Sequence, residues 1–77
     1  MGKVKQAIID VEEEVMDIVM SRTHYNTNIE RMEIISLPEV QTTLFKKYWH
    51  KNNNEYFLNE DVVIEAYNKA LQQLENI

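Results

Sequence analysis

Residues 36–54 read SLPEVQTTLFKKYWHKNNN, and the reading of this stretch decides the fold. It carries the only proline and the only tryptophan, and Lys46, Lys47 and Lys51 are three of the eight basic residues. No acid falls between Glu39 and Glu55. Pro38 disfavours α geometry at Leu37 but is itself well tolerated in a first turn, so a helix begins close to it. Ser36 and Glu39 also stand at capping-box spacing, which sets the start about one residue earlier. Beyond Val40, Leu44 and Tyr48 fall on one line of the helix, with Phe45 and Trp49 on the adjacent line. Together they predict a broad apolar face directed at a core, with Trp49 at its edge. Gln41, Thr42, Lys46 and Lys47 point outward. Asn52–Asn54 ends the helix, because asparagine tolerates left-handed geometry and competes for backbone hydrogen bonds.

Before this helix, Val4, Ile8, Val11, Val15 and Ile18 recur at helical spacing and predict a helix over 3–20, with Ala7 and Val19 widening the stripe. Asp10, Glu13, Glu14 and Asp17 lie off the stripe and Glu12 at its margin. Two to three heptads are too few to argue a coiled coil, so the stripe packs within the chain's own bundle. Residues 21–28, SRTHYNTN, have no apolar period and read as a loop. Thr27 and Glu30 again fit a capping box, opening a short helix over 29–35 with Ile29, Met32 and Ile35 on one face. Ile34 and Ile35 are β-branched, so a short extended segment is the alternative there. After the central helix, Asn59 is an N-cap, Glu60 and Asp61 suit the first turn, and Leu58 and Val63 stand at staple spacing. Val63, Tyr67, Ala70, Leu71 and Leu74 make the buried stripe of a last helix, and Glu65 and Lys69 are an i,i+4 pair.

The expected architecture is all-α: a small antiparallel bundle of three long helices plus one short helix, in a single helical domain over 1–77. One glycine and one proline in 77 residues leave too few turn residues for a sheet-rich domain. A chain this short has a small core, and without cysteine it has no disulfide to reinforce it. Tight helix packing or self-association must supply the stability. The N-terminal apolar positions are interrupted by Asp10 and Glu12–Glu14, unlike a signal peptide, and no apolar run approaches a membrane span. A cytoplasmic location is the default expectation.

No catalytic motif is present. A phosphate-binding loop cannot be built from Gly2 alone, and His24 and His50 are too far apart in sequence to resemble a metal-ligand pair. No nucleophile has a recognisable base beside it. The expectation is a protein without enzymatic activity, cofactor or metal. Lys46, Lys47, His50 and Lys51 interleave with aromatic residues and form a cationic strip on a chain of net charge −5. Trp49 beside it is the kind of side chain that anchors protein interfaces. Glu12, Glu13 and Asp17 offer a complementary docking face on the first helix.

The leading expectation is a small acidic interaction module, an adaptor, inhibitor or regulator that binds another protein through a helix face. The alternation of basic and aromatic residues resembles a nucleic-acid-contacting helix, and S-L-P-E before an amphipathic helix resembles the turn and second helix of a helix-turn-helix unit. That resemblance implies a DNA-binding regulator and is the runner-up, since the acidity of the chain opposes it. A third expectation is a structural subunit that assembles with itself, as a homodimer, through the first helix.

Overall fold

A computed structural model describes residues 2–50 and 55–75, without the side chains of residues 2 and 3. Helix α1 spans Gly2–Arg22, α2 spans Leu37–Tyr48 and α3 spans Glu60–Glu75. Between α1 and α2 lies a hairpin of two short strands, β1 (His24–Asn26) and β2 (Arg31–Glu33). A 3₁₀ turn, Glu55–Leu58, precedes α3. The chain is thus predominantly helical, as its composition implies. The expected bundle of three long helices and one short one is corrected, because the fourth element is a hairpin.

That hairpin replaces the helix expected over 29–35. Its strands pair antiparallel, with His24 opposite Glu33, Tyr25 opposite Met32 and Asn26 opposite Arg31. The four-residue connection turns without glycine. Glu30 takes a φ of 51°, and the Asn26 side-chain oxygen accepts the Asn28 N–H at 2.9 Å. This i→i+2 bond is the local alternative that asparagine offers to helical pairing. The Thr27–Glu30 capping box therefore does not form. Asn26 also donates to Glu33 Oε1 at 2.6 Å, and His24 Nε2 lies 3.1 Å from Glu33 Oε2, so one carboxylate ties both ends of β1.

One hydrophobic cluster joins every helix. It comprises Val11, Val15, Ile18 and Val19 of α1, Ile35 between the hairpin and α2, Val40 and Leu44 of α2, Phe57 of the 3₁₀ turn, and Val63, Ala66 and Ala70 of α3. The most extensive contact is between α1 and α3. Short side chains at Ala66 and Ala70 let α3 lie close to the valines of α1. The stripe read along α1 is buried only from Val11 onward: Ile8 is half-buried and Val4 is exposed. Among the described residues two ion pairs cross between helices, Lys69 Nζ to Glu12 Oε1 at 3.0 Å and Lys47 Nζ to Glu14 Oε1 at 2.6 Å. Lys69 therefore reaches α1 rather than pairing only along its own helix with Glu65.

The caps divide by mechanism. Asn59 caps α3 as expected, accepting the Val62 N–H at 3.1 Å on its side chain. Ser36 sits at the N-cap of α2 in extended geometry but makes no side-chain cap bond, so its capping box with Glu39 is absent. Pro38 in the first turn already lacks an N–H, which reduces the need for one. Helix α2 closes at Tyr48, with the Trp49 N–H bonded to the Phe45 carbonyl at 2.9 Å. The expected stop at Asn52–Asn54 lies outside the described residues. The hairpin's exit is pinned to the last helix, where the Tyr67 hydroxyl donates to the Ile35 carbonyl at 2.6 Å. At its entrance, the buried Thr23 hydroxyl has no hydrogen-bond partner.

Candidate functional site

Helix α2 presents one line of residues to the core and an adjacent line to solvent. Leu37, Val40, Leu44 and Tyr48 face inward, with Leu44 only 1% exposed. Tyr48 stacks on Phe57 with ring centroids 4.0 Å apart and planes 4° from parallel. Burial of this ring raises the Tyr48 phenol above its ordinary value by disfavouring the phenolate, with the Glu14 charge adding to the effect.

Phe45 and Trp49 occupy the outer line, and the expectation that both belong to the core or its edge is corrected. Phe45 is 55% exposed and Trp49 57% exposed. Their rings stack on each other at 6.3 Å with planes 16° apart. The reason lies in the count of helices. A four-helix arrangement covers two adjacent apolar lines of a central helix; among the described residues there is no fourth α-helix, and the second line stays at the surface. His50, just past the end of α2, packs edge-on against Trp49 at 5.0 Å. Below the stack, Phe45, Leu58, Gln41 and Thr42 share a shallow hollow that reaches the buried Phe57 and Val63.

The cationic strip divides. Lys46 is exposed and has no ion pair among the described residues. Lys47 is committed to Glu14 and lies 5.4 Å from the Tyr48 ring centroid. That hydrogen bond to Glu14 is the main cause of a raised Lys47 ammonium, opposed by slight desolvation. Lys51 lies outside the described residues. Sequence reasoning did not find Arg22, which joins Lys46, Lys47 and Thr42 around a second hollow, with Glu39 on its wall. Arg22 also has no ion pair among the described residues. Only the fold brings the end of α1 beside α2, so no local signal could have included it.

The acidic face of α1 also divides. Glu12 holds Lys69 and raises its ammonium through their hydrogen bond, while Glu14 holds Lys47. Glu13 and Asp17 are exposed and unpaired among the described residues. The structure thus packs His50 against Trp49, sets Lys46 with Lys47 and Arg22 around a separate hollow, and puts Glu13 and Asp17 on α1. Among the described residues no group of three or more His, Cys, Asp or Glu side chains is placed to hold a metal, and no helix is long and apolar enough to cross a membrane.

The chain matches no protein-family model, no curated protein and no solved structure. The residues themselves therefore carry the functional argument.

Proposed function

We propose that the chain is a non-catalytic interaction module that binds another protein through the outer line of α2. One observation carries this reading: Phe45 and Trp49 stack on each other while each remains more than half exposed, and Lys46, next in sequence to Phe45, has no ion pair among the described residues. An exposed tryptophan with a neighbouring cation is the composition of a binding hot spot, where aromatic area and charge act together. Arg22 adds a second cation around the adjoining hollow. The complementary partner surface is an acidic segment with an apolar side chain to lay against the aromatic pair. The acidic side chains Glu13 and Asp17 are left as a secondary face.

The DNA-binding reading draws on the same lysines, but it opposes a net charge of −5, and Lys47 is already neutralised by Glu14. Self-assembly through the α1 stripe competes with that stripe's use inside the chain, where Val11, Val15 and Val19 are fully buried.

Affinity capture from the source cells tests the proposal, with the amount of each partner retained as the readout. Trp49→Ala weakens binding by about thirtyfold, in the range of a hot-spot truncation. Lys46→Glu weakens it further, and Glu13→Lys leaves it unchanged. Retention of every partner by the Trp49→Ala, Lys46→Glu double variant, with helicity intact, overturns the assignment. A low-salt gel shift lost only in that variant would favour the nucleic-acid reading instead.

A further inference from the structure

The hairpin is a second surface whose apolar residues are not covered. Tyr25 and Met32 are a cross-strand pair on one face, 56% and 48% exposed, and Ile34 follows Met32 at the same two-residue period. The opposite face leads to the buried Ile35. The sheet has only two strands among the described residues, so β2 bonds to β1 on one side and presents its other edge to solvent. An isolated two-stranded ribbon is marginal in water, and an open edge is a template for another strand.

We propose that the edge of β2 pairs antiparallel with β2 of a second copy of this chain, about a two-fold axis through Met32. The argument is the charge order of the strand, Arg31-Met32-Glu33. Turned antiparallel on itself about its centre, this triplet sets Arg31 opposite Glu33 of the second copy, and Glu33 opposite the second copy's Arg31. Both cross-strand pairs are then of opposite sign, which is the favourable arrangement for directly facing residues. A self-complementary patch is what a two-fold interface requires. Arg31 is exposed and has no ion pair among the described residues, so the fold leaves it free for this role. Glu33, already accepting from Asn26 and facing His24, keeps acceptor capacity on its two oxygens. The product is a four-stranded antiparallel sheet in which the two copies of Met32 adjoin, flanked by both copies of Tyr25. A strand from an unrelated protein would satisfy the edge but would have no reason to match this charge order. The inference uses a different face from the outer line of α2 and stands or falls separately.

Two experiments on the full chain test it. The chain has no cysteine, so Met32→Cys introduces a single thiol. Directly opposed residues of antiparallel strands have Cα atoms about 4.5–5.5 Å apart, within disulfide reach. Met32→Cys forms a covalent dimer on mild oxidation, about tenfold faster than Tyr25→Cys, which lies one strand further from the axis. Equal rates, or a wild-type chain that sediments as a monomer up to millimolar concentration, overturn the proposal.

The second experiment swaps charges. Arg31→Glu alone and Glu33→Arg alone each make both facing pairs like-charged and weaken self-association about tenfold or more. Mixed together, the two variants restore both opposite-sign pairs and form a heterodimer at the wild-type concentration range. Helicity by circular dichroism separates loss of pairing from loss of fold. A mixture that stays monomeric, with both variants folded, also overturns the two-fold register.

Discussion

The paired helices α1 and α3 and the hairpin both carry apolar residues, yet they use them in opposite ways. In the helix pair, Val11, Val15 and Val19 meet Val63, Ala66 and Ala70 in one sealed cluster, and Lys69 closes its margin onto Glu12. In the hairpin, Tyr25, Ile29, Met32 and Ile34 are all exposed, and only Ile35 reaches the core. Helix α2 spans both regimes within one turn, with Leu44 sealed and Phe45 beside it in solvent. The difference teaches that apolar character marks a side chain for burial somewhere, while the arrangement of neighbouring elements decides whether the burial happens within one chain.

Substitution at these adjacent positions of α2 gives the largest contrast. Leu44→Ala leaves a cavity and costs about 2–5 kcal/mol, a large share of the stability of a domain this size. Phe45→Ala, one residue on, stays within about 0.5 kcal/mol, as exposed substitutions do. Chemical denaturation of the two variants side by side measures this. Equal losses would mean that Phe45 belongs to the core and would erase the distinction.

A smaller effect is expected where the two regions are joined. Tyr67→Phe removes the hydroxyl that binds the Ile35 carbonyl and costs about 1 kcal/mol, while leaving the ring's packing in place. Hydrogen exchange should show the loss concentrated at residues 34–36 rather than spread through α1 and α3. A uniform change would make the hairpin a cooperative part of the helical core.

The smallest expected effect is alkaline. Lys47 is raised above its ordinary 10.5 by Glu14, and Tyr48 above its ordinary 10.0 by burial. For a group whose proton is held more tightly in the fold, the stabilisation is complete below the unfolded value and disappears as pH rises through the folded one. Stability therefore declines from about pH 10 upward. Lys47 is half-exposed, so solvent screening keeps its share small and Tyr48 carries most of the decline. Tyr48→Phe flattens the curve between pH 9 and 12 in a denaturation series, to about the slope left by the exposed Lys47 and Lys69.

How much of this was legible depends on where the deciding information sits. Helix α3 was legible because Asn59 caps it locally and its apolar positions repeat with one period. Residues 24–33 escape a reading by period because their turn uses none of the usual glycine: Glu30 adopts positive φ, and the Asn26 side chain accepts from the backbone two residues on. The one pointer was the β-branched pair Ile34–Ile35, which made an extended segment the stated alternative. For Phe45 and Trp49 the helical phase was right and the coverage was wrong, since periodicity says which residues share a line but not how many neighbours the helix has. The strip of Lys46, Lys47 and His50 was found by composition. That Glu14 withdraws Lys47 from it, and that Arg22 adds to it, depends on contacts between elements far apart in sequence.

The length of α1 has a dynamic consequence. The helix runs 21 residues, but its fully buried positions begin at Val11; before them Ala7 and Ile8 are half-buried and Val4, Lys5, Gln6 and Ile9 are exposed. Helical hydrogen bonds without tertiary packing open and close on the sub-microsecond scale of an isolated peptide. Amides across residues 11–19, whose turns carry the buried side chains, are expected to exchange more slowly. A single helix is therefore expected to carry two lifetimes along its axis in a hydrogen-exchange experiment, shorter before Val11 and longer across the buried residues 11–19.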